Sequence, residues 1–265
     1  MNKLKIGDKL PSNNNNEFEV IEIVNNWSVK IKFNDDFGYE SIVNTGDAIR
    51  GQVKNPYFPI VQERGYLGAG LYTSGTNCNL HKKAYMAWHN MISRCYDPRF
   101  KDIKRGKSYS NTTVASEWFN YQIFAEWYCK NLINIDNIDI KFNLDKDILS
   151  PESKCYSQET CCIIPEEINK VIVSHIVRNK SRKLSKIRSC LDGTYSIQIR
   201  TNCKTTTFSG FKSEKECFEV YLKSKENEIA AVISKYRNIL NEKVYLALIE
   251  YASKNSSRIS AHYDY

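Results

Sequence analysis

Residues 187–224, with the sequence IRSCLDGTYSIQIRTNCKTTTFSGFKSEKECFEVYLKS, decide the fold of the C-terminal part of the chain. The turn-forming LDG separates two strand-like stretches, and TNCK separates the second from a third, which predicts a three-stranded antiparallel sheet. In the middle strand Ile197 and Ile199 lie on one face, because side chains alternate along a strand. Gln198 and Arg200 lie on the other face. The sequence therefore predicts a sheet with one apolar face and one polar, basic face.

A helix is predicted to begin directly after this sheet. Ser213 and Glu216 form a capping box, in which the serine hydroxyl caps a backbone N–H and the glutamate reaches back. The apolar side chains of this helix are Phe218, Tyr221, Ile229, Val232, Ile233 and Tyr236. A second helix, EKVYLALIEYA, follows it. We expect the first helix to cover the apolar face of the sheet and to leave the polar face exposed.

The positive charge of the chain is concentrated in the same region. Between residues 178 and 212 there are nine lysine and arginine residues and one aspartate, which accounts for the whole net charge of +8. A confined basic surface beside a neutral body is typical of a protein that docks on a polyanion, although a solvated basic loop gives the same pattern. The predicted DNA-binding residues are Arg178, Lys180, Arg182, Lys183, Lys186, Arg188, Gln198, Arg200 and Lys204.

The rest of the chain divides into two further blocks. Residues 1–60 contain short strand patterns such as EFEVIEIV and VKIKF, separated by turns, which predict a small β-barrel of SH3-like size. Residues 76–175 contain KKAYMAWHNMISRC and SEWFNYQIFAEWYCKNL, whose aromatic side chains recur at helical spacing and are interpreted as core. We predict an α+β protein with three domains, at 1–60, 76–175 and 180–252.

Composition narrows the class of protein. With 265 residues and 42% hydrophobic content, the chain can bury a core and is neither a fibre nor a disordered protein. No apolar run approaches the length of about 20 residues that a membrane span needs, and the start of the chain has no apolar signal segment. We therefore expect no membrane partner and a cytoplasmic location. The nine cysteines are expected to be mostly buried free thiols, since that compartment is reducing.

The order of motifs along the chain resembles one known kind of protein. The stretches DGTYSIQIR and TTTFSGFKSEKECFEVYLKSKE resemble the AP2-type DNA-binding domain. The stretches WHNMISRCYDPRF, SEWFNYQIFAEW, LDKDILSPESKCYSQETC and PEEIN are similar to the degenerate HNH segment that accompanies such domains in bacteriophage proteins. VKIKFNDDFGY and VKNPYFPIVQERGYLGAG are similar to the same proteins. The resemblance implies a phage HNH/AP2 homing-endonuclease-like protein, with an HNH-like block derived from a ββα unit and an AP2-like C-terminal sheet. The glycine that it places inside the third strand falls one residue later, at Gly210.

The candidate catalytic residues also come from this resemblance. An active HNH site needs a histidine as general base and a divalent metal. Asp145 and Lys146 stand where the first histidine would fall, and Asn169 matches the asparagine of the helix. Asp145 and Asp147 are candidate ligands for Mg²⁺; the other interpretation is a turn with solvated carboxylates. Because the general base is missing, we expect a degenerate site rather than a metal-dependent nickase.

Zinc is not expected near this segment. Thiolate zinc sites usually show two cysteines separated by two to four residues. The interval from Cys155 to Cys161 is too wide for this pattern, and Cys161 and Cys162 are adjacent.

Three functions are therefore weighed. The first is a double-stranded-DNA-binding protein of the HNH/AP2 type, able to nick DNA if metal and base are present. The second is a DNA binder without catalysis. The third is an inactive phage protein that binds a host protein, such as a component of a defence system. The sequence does not predict an oligomeric state.

Overall fold

The structure is a computed structural model that describes residues 4–14, 16–75, 78–102, 109, 111–132, 140–178, 187–201 and 204–260, without the side chains of residues 101, 173–178 and 253–260. The chain forms two compact units, Met1–Lys130 and Asn131–Tyr265. Both units combine helices and strands, which confirms the α+β class. The boundary between the units falls inside the block 76–175, and the three domains proposed from the sequence stay a prediction.

The first unit begins with an antiparallel sheet of four strands, ordered β1-β2-β3-β4. The strands are β1 (Lys9–Pro11), β2 (Glu17–Asn25), β3 (Ser28–Phe33) and β4 (Glu40–Asn44), and the short helix α1 (Thr45–Ile49) follows. Phe18 and Val20 of β2 are buried against Val29, Ile31 and Phe33 of β3. The predicted alternation of apolar residues and the N-terminal sheet are confirmed, whereas an SH3-like barrel stays a prediction.

The first unit also contains helices. They are α2 (Asn79–Tyr96), α3 (Pro98–Asp102), a 3-10 turn (Ser116–Phe119) and α4 (Tyr121–Asn131), with β5 (Thr113–Val114) between them. Trp88 and Trp118 are both buried, and the indole N–H of Trp88 donates to the carbonyl of Trp118 at 2.7 Å. Tyr121 and Phe124 are also fully buried. The two aromatic stretches are therefore core, as the spacing predicts.

The second unit begins with a strand pair and a helix. The elements are β6 (Phe142–Asp145), β7 (Cys155–Tyr156), β8 (Cys162–Pro165) and α5 (Glu166–Arg178). β6 and β8 are antiparallel, and α5 packs on both of them. Pro165 ends β8, opposite Phe142, and α5 begins at the next residue, Glu166.

The predicted three-stranded sheet follows, with the order β11-β10-β9. Its strands are β9 (Ile187–Ser189), β10 (Tyr195–Thr201) and β11 (Lys204–Phe211), and the last helices are α6 (Glu214–Lys235) and α7 (Glu242–Ser260). Ile197 and Ile199 of β10 are buried against Phe218 and Tyr221 of α6. Farther along α6, Ile233 packs with α5 and α7 in a second core. The predicted arrangement of sheet and helix is confirmed.

The start of α6 differs in one detail from the predicted capping box. The hydroxyl of Ser213 accepts a hydrogen bond from the N–H of Glu216 at 3.2 Å, as predicted. The carboxylate of Glu216 accepts from the N–H of Lys212 at 2.8 Å, one residue before the N-cap. Both contacts satisfy backbone donors where the chain leaves the sheet.

The cysteines of the described ranges are free thiols. Four of the eight, Cys95, Cys161, Cys162 and Cys217, are buried, and the other four are half-buried. Burial raises the pKa of Cys161 to about 12, and the charge of Asp145 adds to the shift. At neutral pH this thiol is protonated and behaves as a small apolar side chain.

Candidate nucleic-acid interface

The register of the C-terminal sheet places three of the predicted DNA-binding residues on one side. Directly opposed residues of antiparallel strands point to the same face. Ser196 of β10 is opposite Arg188 of β9. Gln198 is opposite Thr207 of β11, and Arg200 is opposite Thr205. Arg188, Gln198 and Arg200 thus share the face that points away from α6. We call this surface the basic face. Lys204, at the start of β11, is opposite Thr201 and therefore belongs to the other face of the sheet, where the prediction that it joins the arginines is wrong.

The basic face is open to solvent. Arg188, Gln198 and Arg200 are all exposed, as is Lys204, whereas Ile197 and Ile199 of β10 are 2% and 1% exposed. Across the ranges that the structure describes, no carboxylate forms an ion pair with Arg188, Arg200 or Lys204. The positive charge of these side chains is therefore available to a ligand.

Part of the predicted set cannot be placed. Lys180, Arg182, Lys183 and Lys186 lie outside the described residues, and Arg178 ends α5 with a side chain that is not described. Of the nine predicted residues, the structure therefore brings together Arg188, Gln198 and Arg200, and it places Lys204 on the other face. The remaining five stay predictions.

The glycine of the third strand occupies a β-bulge. Tyr195 is opposite Phe211, but the next residue, Ser196, is opposite Ser209, so Gly210 is the extra residue of β11. Its φ of +87° lies in the region that favours glycine. The bulge accommodates the one-residue displacement seen in the sequence, so Ser209, Thr207 and Thr205 stay in register with the residues of the basic face.

The hydroxyls of β11 are functional candidates that the sequence did not single out. Thr205, Thr207 and Ser209 are exposed and lie opposite Arg200, Gln198 and Ser196. Hydroxyl groups donate to phosphate oxygens and to base edges, so they suit the same ligand as the arginines. The run TTTFSG indicates a strand, but which of its residues face the ligand depends on the register and on the bulge.

The Asp145 segment forms a hydrogen-bonded turn. The Oδ1 atom of Asp145 accepts from the N–H of Asp147 at 2.8 Å and from the N–H of Ile148 at 3.0 Å. Lys146 is buried, and its Nζ donates to Oδ1 of Asp147 at 2.5 Å. Burial raises the pKa of Asp145 above its usual range, and the nearby charge of Asp147 adds to the shift. These contacts are those of a carboxylate that caps a turn.

The residues present do not fit a Mg²⁺ site. One oxygen of Asp145 is used by two backbone amides, and one oxygen of Asp147 is used by the Lys146 ammonium. Among the described side chains, no group of three histidine, cysteine, aspartate or glutamate residues has a spacing that could hold a metal. Asn169 lies half-buried on α5, and no described hydrogen bond joins it to Asp145 or Lys146. We therefore derive no metal-dependent step from this segment.

Comparisons of the chain with protein-family models, with curated proteins and with solved structures find no match. In the part of the chain that the structure describes, no helix has both the length and the apolar character needed to cross a membrane. The basic face is therefore the feature from which a function is inferred.

Proposed function

We propose that this protein binds duplex DNA through the basic face. The observation that carries the proposal is the asymmetry of the C-terminal sheet. α6 covers one side of it with Phe218 and Tyr221, while the other side exposes Arg188 and Arg200 without an ion pair within the described residues. A polar sheet face with unpaired cations suits a phosphate-rich polyanion.

The geometry of the strands suits the major groove. The groove of B-DNA is about 12 Å wide and admits a two-stranded ribbon. Gln198 and Arg200 are two residues apart on β10, so their side chains leave the strand about 6.6–6.8 Å apart. That is about two steps of the 3.4 Å rise of the duplex. Arginine contacts phosphates or guanine edges and glutamine pairs with adenine edges, while the hydroxyls of β11 suit phosphates.

The resemblance to phage HNH/AP2 homing-endonuclease-like proteins belongs to this proposal. The order β6, β8 and α5 gives two antiparallel strands and a helix, which supports an origin in a ββα unit. The three strands and α6 support an AP2-like module. The turn contacts of Asp145 and Lys146 favour a binding protein with a degenerate HNH-like segment. We place the protein in the cytoplasm of the host cell, where duplex DNA is accessible.

A binding assay with charge-matched variants tests the proposal. Arg188→Ala/Arg200→Ala removes two positive charges from the basic face, and Lys82→Ala/Lys83→Ala removes two exposed charges from α2 of the other unit. By fluorescence anisotropy with a mixed-sequence duplex, we expect the first variant to bind about tenfold or more weakly, since base and phosphate contacts are lost. We expect the second to bind within about twofold of the wild type, since it removes the same net charge but leaves the basic face intact.

Equal losses in the two variants would mean that net charge alone governs binding, and the basic face would then not be the docking surface. A wild-type protein that does not bind duplex DNA would overturn the proposal. In that case the host-protein function becomes the better candidate. It is favoured by the apolar side chains that the N-terminal sheet exposes, since Trp27 is 76% exposed and Ile42 is 61% exposed.

A further inference from the structure

A buried lysine connects α6 to the strand that carries Arg200. Lys225 lies on α6 and is 6% exposed. Its ammonium donates to the backbone carbonyl of Arg200 at 2.8 Å and to Oε2 of Glu228 at 2.5 Å. The Glu228 side chain is 13% exposed, so the ion pair is largely removed from water. Lysine is rarely buried in this way unless its charge is paired.

The contact between Lys225 and Arg200 lies in the part of β10 that pairs with only one neighbouring strand among the described residues. β9 pairs with β10 only from Tyr195 to Ile197. Beyond Ile197, β11 is the strand that flanks β10 among the described residues, and the pairing of β10 and β11 ends at Thr201 and Lys204. Arg200 therefore lies next to the last residue pair of the sheet. The bond from Lys225 fixes its backbone from the helix side, opposite to the face on which its side chain is exposed.

We propose that Lys225, neutralised by Glu228, is a positioning residue that orients Arg200 for its contact with DNA. The inference rests on the proposed function. A side chain that must meet a base edge or a phosphate binds more tightly when its backbone is already held in place. Pairing with Glu228 lets a lysine do this from inside the protein without adding its own charge to the site.

A double-mutant cycle tests this role. Lys225→Met/Glu228→Met removes both charges, because removing one alone leaves an unpaired buried charge that is strongly destabilising. The variant is combined with Arg200→Ala, and duplex binding is measured by anisotropy in the full chain. We expect Lys225→Met/Glu228→Met to weaken binding about fivefold in the wild-type background and less than about twofold in the Arg200→Ala background, since contacting residues couple. Thermal unfolding should show a melting temperature no lower than that of the wild type.

The same helix provides a matched control. Lys223 and Glu226 form an ion pair of the same spacing, at 3.7 Å, but are 74% and 34% exposed. Lys223→Met/Glu226→Met should bind DNA within about twofold of the wild type, as expected for an exposed pair.

Two outcomes would overturn the role of Lys225. One is unchanged binding of Lys225→Met/Glu228→Met, and the other is an equal loss with and without Arg200. If the double variant does not fold, Lys225→Arg replaces it in the same cycle, since arginine keeps the charge but changes the geometry of the donor. An equal loss of DNA binding with and without Arg200→Ala again overturns the role. These outcomes are separate from failure of the proposed function, in which Arg200→Ala alone leaves DNA binding unchanged.

Discussion

Replacing Ile199 by alanine should destabilise the C-terminal sheet, whereas replacing its neighbour Gln198 by alanine should leave the stability of the sheet unchanged. Ile199 is 1% exposed and packs in the core formed with Phe218 and Tyr221 of α6. Gln198, the preceding residue of β10, is exposed on the basic face. The two substitutions therefore test the two faces of one strand.

The magnitude follows from the buried carbon atoms. Ile199→Ala removes three of them, and at about 0.8 kcal/mol for each buried CH₂ the transfer loss is about 2.4 kcal/mol. The remaining cavity adds to this loss, so the cost falls within the range of about 2–5 kcal/mol observed for such core truncations. Gln198→Ala removes exposed atoms and should change stability by no more than about 0.5 kcal/mol.

Hydrogen exchange followed by mass spectrometry measures the effect locally in the full chain. Amides of β10 and β11 should exchange at least about fifty-fold faster in Ile199→Ala, because each 1.36 kcal/mol of opening free energy corresponds to a factor of ten. In Gln198→Ala their exchange should match the wild type, while binding to duplex DNA weakens. Equal protection in the two variants, or faster exchange in Gln198→Ala, would refute the assignment of the faces.

Two predictions concern the Asp145 segment. Because burial raises the pKa of Asp145, the native protein holds this proton more tightly than the unfolded chain and loses stability as the pH rises from the usual aspartate value toward the raised one. Asp145→Asn keeps an Oδ1 acceptor for the N–H groups of Asp147 and Ile148 but cannot ionise. In urea unfolding it should therefore gain stability relative to the wild type as the pH rises above the usual pKa of aspartate. A stability difference that does not change with pH would contradict this. The second prediction is that the protein does not nick DNA, because Asp145 and Lys146 are held in the turn. A supercoiled plasmid should stay supercoiled when it is incubated with the protein and Mg²⁺ or Mn²⁺, while binding persists. Nicking that disappears in Asp145→Asn would show that the segment is catalytic.

Local sequence patterns predict much of the sheet and its helix. The alternation from Ser196 to Arg200 predicts both faces of β10, and Ser213 predicts the start of α6, since both depend on neighbours close in the chain. The hydrogen bond from the N–H of Lys212 to the carboxylate of Glu216 is not predicted. The direction in which the chain leaves the sheet decides whether the carboxylate meets this N–H or that of Ser213.

Features that depend on distant contacts could not be predicted. Lys225 stands in a helix among other charged residues, and its sequence position resembles that of a solvated lysine. Its burial follows from the approach of β10, 25 residues away in the chain. Asp145 likewise suggests a metal ligand by its place in LDKD, but the fold of the following residues turns their backbone amides toward its carboxylate.

The salt dependence of duplex binding tests the role of the basic face most directly. Each phosphate contact contributes a slope of about −0.9 to the plot of log affinity against log salt concentration. If Arg188 and Arg200 meet the phosphate-rich surface of the duplex, Arg188→Ala/Arg200→Ala should flatten the slope by about one to two, while Lys82→Ala/Lys83→Ala leaves it unchanged. An identical slope in the wild type and in Arg188→Ala/Arg200→Ala would show that DNA does not bind at the basic face.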